Sequence, residues 1–81
     1  MDDFPGRLRR LRERNRLKQY RLSELCGLSS DMVRKYEKGE VKPSVDALEA
    51  IADFFEVSTD YMLGRTDYPC VLNPSSSHRN F

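Results

Sequence analysis

Within the run QYRLSELCGLSSDMVRKYE, Gln19 to Glu37, three residues are spaced in a way that few backbones accept: Ser23, Gly27 and Val33. Leu17, Leu22, Leu25 and Cys26 recur at helical spacing and predict a short helix from about Lys18 to Cys26, stopped by Gly27. Ser29-Ser30-Asp31 offers short oxygen-bearing side chains to start a second helix, and Val33 and Tyr36 carry it as far as Gly39. Two short helices this close must cross steeply through a tight turn. The turn wants a residue that takes a positive φ without strain, which Gly27 supplies. Four residues earlier the helices pass close together and need a small side chain, here Ser23. Six residues after the glycine an apolar side chain must enter the core, here Val33, joined by Leu22, Leu28 and Tyr36. A glycine between two helices says little alone; the combined spacing says much.

Helical periodicity extends to either side of this pair. Phe4, Leu8 and Leu11 predict a first helix over about residues 4–14, ringed by Arg7, Arg9, Arg10, Arg12, Arg14 and Arg16. Pro43-Ser44 opens a fourth helix with Val45, Leu48, Ile51, Ala52 and Phe55 on one stripe. Ser58-Thr59-Asp60 caps a short fifth helix holding Tyr61, Met62 and Leu63, closed by Gly64. No segment alternates as a strand would. From Arg65 to Phe81 the character changes, with Pro69, Pro74 and Ser75-Ser76-Ser77 and no amphipathic period. The expected organisation is one helical domain over residues 1–64 and a tail over 65–81, flexible or making a dimer contact.

A formal net charge of +1 hides a division. Through Lys42 there are 12 Lys/Arg against 7 Asp/Glu, a balance of +5; from Pro43 onward there are 2 against 6, a balance of −4. That asymmetry points to one surface facing a polyanion and another facing something else, or to solvated helix faces. The arginines of the first helix read as a solvated face that biases the domain toward phosphate. No apolar run approaches the roughly 20 residues that span a bilayer, and MDDFPGRLRR lacks the apolar stretch of a signal peptide. Cys26 reads as a small core residue and Cys70 as an unrelated thiol, so a cytoplasmic location without disulfides is expected. His78 has no second ligand at metal spacing, so neither a metal nor a cofactor is expected. No nucleophile–base pair, glycine-rich phosphate loop or paired carboxylates is present, which argues against an enzyme.

Over residues 4–64 the chain resembles the phage repressor and Cro family, the Xre-type helix-turn-helix regulators. The resemblance is carried by Leu17-Lys18-Gln19 entering the second helix, Tyr36-Glu37-Lys38-Gly39 leaving the third, Pro43-Ser44, and the closing VSTDYMLG from Val57 to Gly64. It implies an all-α, five-helix bundle of the lambda-repressor-like type. It also implies a dimer that places two recognition helices in successive major grooves of double-stranded DNA, and a prokaryotic or phage origin. By the same resemblance Ser30, Asp31, Met32, Arg34 and Lys35 lie on the outward, base-reading face of the third helix. Lys35 would donate to guanine O6/N7 and Asp31 would accept from cytosine N4. Gln19, Lys38 and Lys42, with the backbone near Gly39, would meet phosphates. Arg12 and Glu37 would form an internal ion pair between the first and third helices.

The chain departs from the family at two points. Lys18 stands where Thr or Ser is preferred, and Ser30-Asp31 replaces a frequent Gln or Asn pair. The expected function is a sequence-specific transcriptional regulator, a repressor acting as a homodimer on an inverted-repeat operator. The alternative is an antitoxin-like module that uses the same fold to hold a partner toxin, its acidic half or tail doing the binding. A third option is a helical domain that has lost DNA binding, with Asp31 as its mark.

Overall fold

Helix starts and stops lay out the chain. In the computed structural model, which describes residues 3–69, the helices are α1 (Phe4–Arg14), α2 (Gln19–Leu25), α3 (Met32–Lys38), α4 (Val45–Phe55) and α5 (Thr59–Met62). Three of the starts are capped by their own first residue: Asp3 accepts from the Gly6 amide, Ser44 from Ala47 and Ser58 from Tyr61. Pro5 sits in the first turn of α1, where a missing N–H costs nothing. No strand occurs among the described residues. Cys70, His78 and the expected tail from residue 70 onward lie outside the described residues.

All five helices stop the same way, with a left-handed residue whose own amide and the next one turn back onto the last carbonyls. After α2, Gly27 donates to Glu24 O and Leu28 to Ser23 O; after α3, Gly39 donates to Tyr36 O and Glu40 to Lys35 O. Gly27 and Gly39 hold φ of 74° and 75°, and a Cβ at either would meet nothing within 4 Å. Glycine is needed there for its backbone and not for space. After α1 and α4 the left-handed position falls to Arg16 and Glu56, which nothing in the sequence announces.

The core draws on every helix. Leu8, Leu22, Val33, Ile51 and Met62 are fully buried, and Phe4 meets Tyr36 edge-on at 5.7 Å. α1 packs on α3 and α5, α2 on α3, and α4 on α5. The expected α4 stripe needs one correction. Val45 is 70% exposed, and Ala47, two residues on, takes the inward position.

The start of α3 also differs from expectation. Asp31 is the N-cap residue, yet its side chain caps nothing. Ser23 does that work from α2: its buried Oγ accepts from the Val33 amide at 3.0 Å while donating to Gln19 O at 3.0 Å. One hydroxyl therefore satisfies an orphan amide of α3 and fixes the crossing of the two helices.

Arg7 and the residues after Gly64 were not legible as core. The Arg7 side chain is only 6% exposed. Its guanidinium lies 4.2 Å over the Tyr61 ring, 2.9 Å from Asp67 Oδ1, and donates to Thr66 O at 3.3 Å. The Ser58 amide donates to Pro69 O at 2.8 Å. Residues 65–69, expected in the tail, thus form a strap docked on α1 and the start of α5. Arg7 occupies the i+3 position between Phe4 and Leu11, on the apolar stripe itself, which was the available signal.

Ser23→Ala leaves the Val33 amide buried without a partner. The expected loss is about 1–3 kcal/mol of unfolding free energy, read from the urea midpoint at unchanged m-value. Ser23→Gly, by contrast with a surface serine change, should lose at least as much, since it adds backbone freedom to the same deficit.

Candidate nucleic-acid interface

α3 must be held at both ends before its outer face can mean anything. Ser23 holds its start; Glu37 holds its last turn. The Glu37 carboxylate, 5% exposed, accepts from Arg12 Nε at 2.6 Å, Arg12 Nη2 at 3.1 Å and Gln19 Nε2 at 3.0 Å. The same Arg12 reaches Leu17 O through Nη1 at 2.9 Å. α1, the entry to α2 and α3 therefore meet at one fork-shaped ion pair. Hydrogen bonding to Glu37 raises the Arg12 pKa above its ordinary value, so the guanidinium stays charged.

The outer face of this fixed helix is cationic. Arg34 and Lys35 are half-exposed on α3, and Lys38 and Lys42 are exposed at its end and in the loop to α4. Lys38 and Lys42 have no carboxylate partner among the described residues. Asp31 interrupts the cations: its Oδ2 lies 3.3 Å from Lys35 Nζ and 3.8 Å from Arg34 Nη2. Lys35 foremost, through its hydrogen bond, holds the Asp31 carboxyl below the usual carboxylate range, so it is ionised at neutral pH.

Three expected site residues sit differently from the reading of the sequence. Ser30 lies in the turn before α3 and not on the helix, because the helix starts only at Met32. Met32 packs its side chain against the core and is not wholly outward. Gln19 spends its amide N–H on Glu37, so it braces α3 from inside, with only its remaining polar atoms available outward. Sequence reasoning missed this tie because Gln19 and Glu37 are 18 residues apart and share no periodic relation. The Asp31–Lys35 pair, by contrast, follows from i,i+4 spacing.

Cys26, at the end of α2, is half-buried, and burial pushes its thiol pKa up. It packs against the core. No cluster of three or more potential metal ligands occurs among the described residues, and no described helix is long and apolar enough to cross a membrane.

Arg12→Met should cost about 3 kcal/mol, because it leaves the Glu37 carboxylate buried with Gln19 as its one remaining donor. The double variant Arg12→Met, Glu37→Leu should recover much of that loss, since it removes the stranded charge. Urea unfolding of the two variants beside the parent chain checks both.

A family model for helix-turn-helix domains, HTH_3, matches residues 8–62. The chain is 40% identical over 63 residues to the uncharacterized HTH-type transcriptional regulator YobD of Bacillus subtilis, covering 78% of this chain and 56% of that protein. It spans about half the length of the curated relatives it matches. Among solved structures, a transcriptional regulator from Listeria innocua superposes with a TM-score of 0.72 at 31% identity, covering 91% of this chain and 67% of that one. The P22 c2 repressor, crystallised with a synthetic operator, superposes with a TM-score of 0.75 at 24% identity, covering 82% of this chain and all of that one, and shares the fold. With the Ser23–Gly27–Val33 turn in place and more than half its length matched, the chain belongs to the HTH_3 helix-turn-helix family.

Proposed function

We propose that this domain binds duplex DNA and reads operator sequence from the first turns of α3, as a transcriptional regulator of the repressor kind. The observation that carries the reading is a cationic helix face, Arg34 and Lys35 continuing to Lys38 and Lys42, on a helix anchored by Ser23 and Glu37. Rigid presentation is what base readout requires, since donors must meet base edges in fixed register. Ser30, Arg34 and Lys35 are the proposed readers, and Lys38 and Lys42 the phosphate contacts. The names of the relatives, transcriptional regulators, and of the P22 repressor with its operator support the same assignment.

A homodimer is part of the proposal. Phe54 remains 38% exposed on α4, edge-on to Phe55 at 5.1 Å, an apolar pair that a second copy would cover. Two-fold symmetry then sets inverted half-sites about one helical turn apart, roughly 34 Å. The alternative of a toxin-binding module rests on the acidic outer side of α4 and α5, where Glu49, Asp53 and Asp60 rim an open cleft. That cleft suits a basic partner.

Selection from a random duplex pool at two salt concentrations tests the reading. An enriched inverted repeat is the expected result; a folded, soluble protein that enriches nothing leaves the partner-binding alternative. Lys35→Ala should relax preference at one base position and cost about 1–3 kcal/mol on the selected duplex. Lys42→Ala should weaken selected and random duplexes alike and lower the salt slope by about one. If the two variants behave identically, Lys35 is a phosphate contact and not a reader.

A further inference from the structure

We infer that Asp31 is a specificity-determining positioning residue: it clamps Lys35, and secondarily Arg34, so that the reading face of α3 does not spend its charge on phosphates of any sequence. This rests on the DNA-binding reading above and adds a role for a residue that the resemblance would make a base contact.

Three observations carry it. Asp31 stands at the N-cap of α3, yet its side chain makes no capping bond, because Ser23 already serves the Val33 amide. The carboxylate is therefore not engaged in holding the helix together. Instead it is drawn to the two cations of the reading face, at 3.3 Å from Lys35 Nζ and 3.8 Å from Arg34 Nη2. Lys38 and Lys42, further along, have no such partner among the described residues and keep their full charge for the backbone.

The pair does not exist for stability. Its members are 36–47% exposed, and ion pairs so placed contribute little to folding. Its effect appears opposite a polyanion. Asp31, Arg34 and Lys35 together present one net positive charge where the two cations alone would present two. On a random duplex, where attraction to phosphate is nearly the whole of binding, that subtraction weakens the complex. On the selected duplex Lys35 gains a base-edge hydrogen bond that does not depend on net charge, and the carboxylate holds the ammonium near it rather than swung to a phosphate. Asp31 thus lowers binding to wrong sequences more than to right ones, which widens the ratio between them.

The test compares the full chain with Asp31→Asn, Lys35→Gln and the double variant, on the selected duplex and on a random-sequence duplex across a salt series. Asp31→Asn keeps the side-chain size and removes no capping bond, so it should fold as the parent does. On the random duplex the log–log salt slope should steepen by up to about 0.9, which is up to about eight-fold tighter binding at 0.1 M salt. Operator affinity should rise less, so the ratio of the two affinities falls. With Lys35→Gln already present, Asp31→Asn should lower that ratio much less, since only the longer Arg34 contact remains to be released.

Weaker operator binding with an unchanged random-duplex slope would make Asp31 a direct base contact and overturn the clamp. So would no change on either duplex. An equal fall in the ratio in the Lys35→Gln background would reduce Asp31 to general repulsion from DNA, which also overturns it. A parent chain that binds neither duplex removes the DNA reading itself and the clamp with it; binding by the parent with an unmoved Asp31→Asn slope removes the clamp alone.

Discussion

The orientation of α3 depends on the Glu37 carboxylate. It is nearly buried and takes three donors, two from Arg12 and one from Gln19, so that helices far apart in the chain share one acceptor. A buried ion pair is weak evidence for stability as such, because desolvation offsets much of the attraction. Its value here is geometric. A bidentate guanidinium–carboxylate contact tolerates little rotation, and α3 is a helix of seven residues that could not hold its own orientation. Arg12 also binds the carbonyl of Leu17, so the turn between α1 and α2 is set by the same guanidinium.

At the other end of α3 the division of labour is unusual in a useful way. Helix starts ordinarily consume the oxygen of their N-cap residue. Here the oxygen comes from Ser23 on the preceding helix, and the N-cap side chain is left to act on the surface. The close approach that demands a small residue at position 23 and the hydrogen bond that serves α3 are two results of one hydroxyl. The hydrogen bond that starts α3 and the surface contacts of its N-cap residue are thereby carried by different side chains.

How much of this was legible follows from the range of the interactions. The helices and their order could be read, because apolar periodicity, Ser44 and Ser58 as caps, and Gly27, Gly39 and Gly64 as stops are all local signals. Arg16 and Glu56 end their helices in the same backbone geometry without a glycine, and local chemistry does not mark them. The cations of α3 were visible as a set, but whether each faces solvent, core or another side chain was not. Met32 turned partly inward and Gln19 bonded to Glu37, since those outcomes depend on neighbours contributed by distant segments. Arg7 is the sharpest case: a cation on an apolar stripe is stable only because the ring of Tyr61 and the residues past Gly64 arrive to meet it.

That last arrangement bears on the order in which the molecule assembles. Ser23 and Val33 are ten residues apart, whereas Arg7 and Asp67 are separated by 60. Closing the longer loop costs roughly 1.5 kcal/mol more in chain entropy, with only exposed carboxylate and backbone partners to offset it. On those grounds the α2–α3 corner belongs to the folding nucleus and the strap of residues 65–69 is the last piece to dock and the first to lift. Native-state hydrogen exchange separates the two, since the Ser58 amide, held by Pro69, would exchange through an opening that leaves the Val33 amide protected. The α2–α3 corner would then keep its shape through fluctuations that release the far end of the domain.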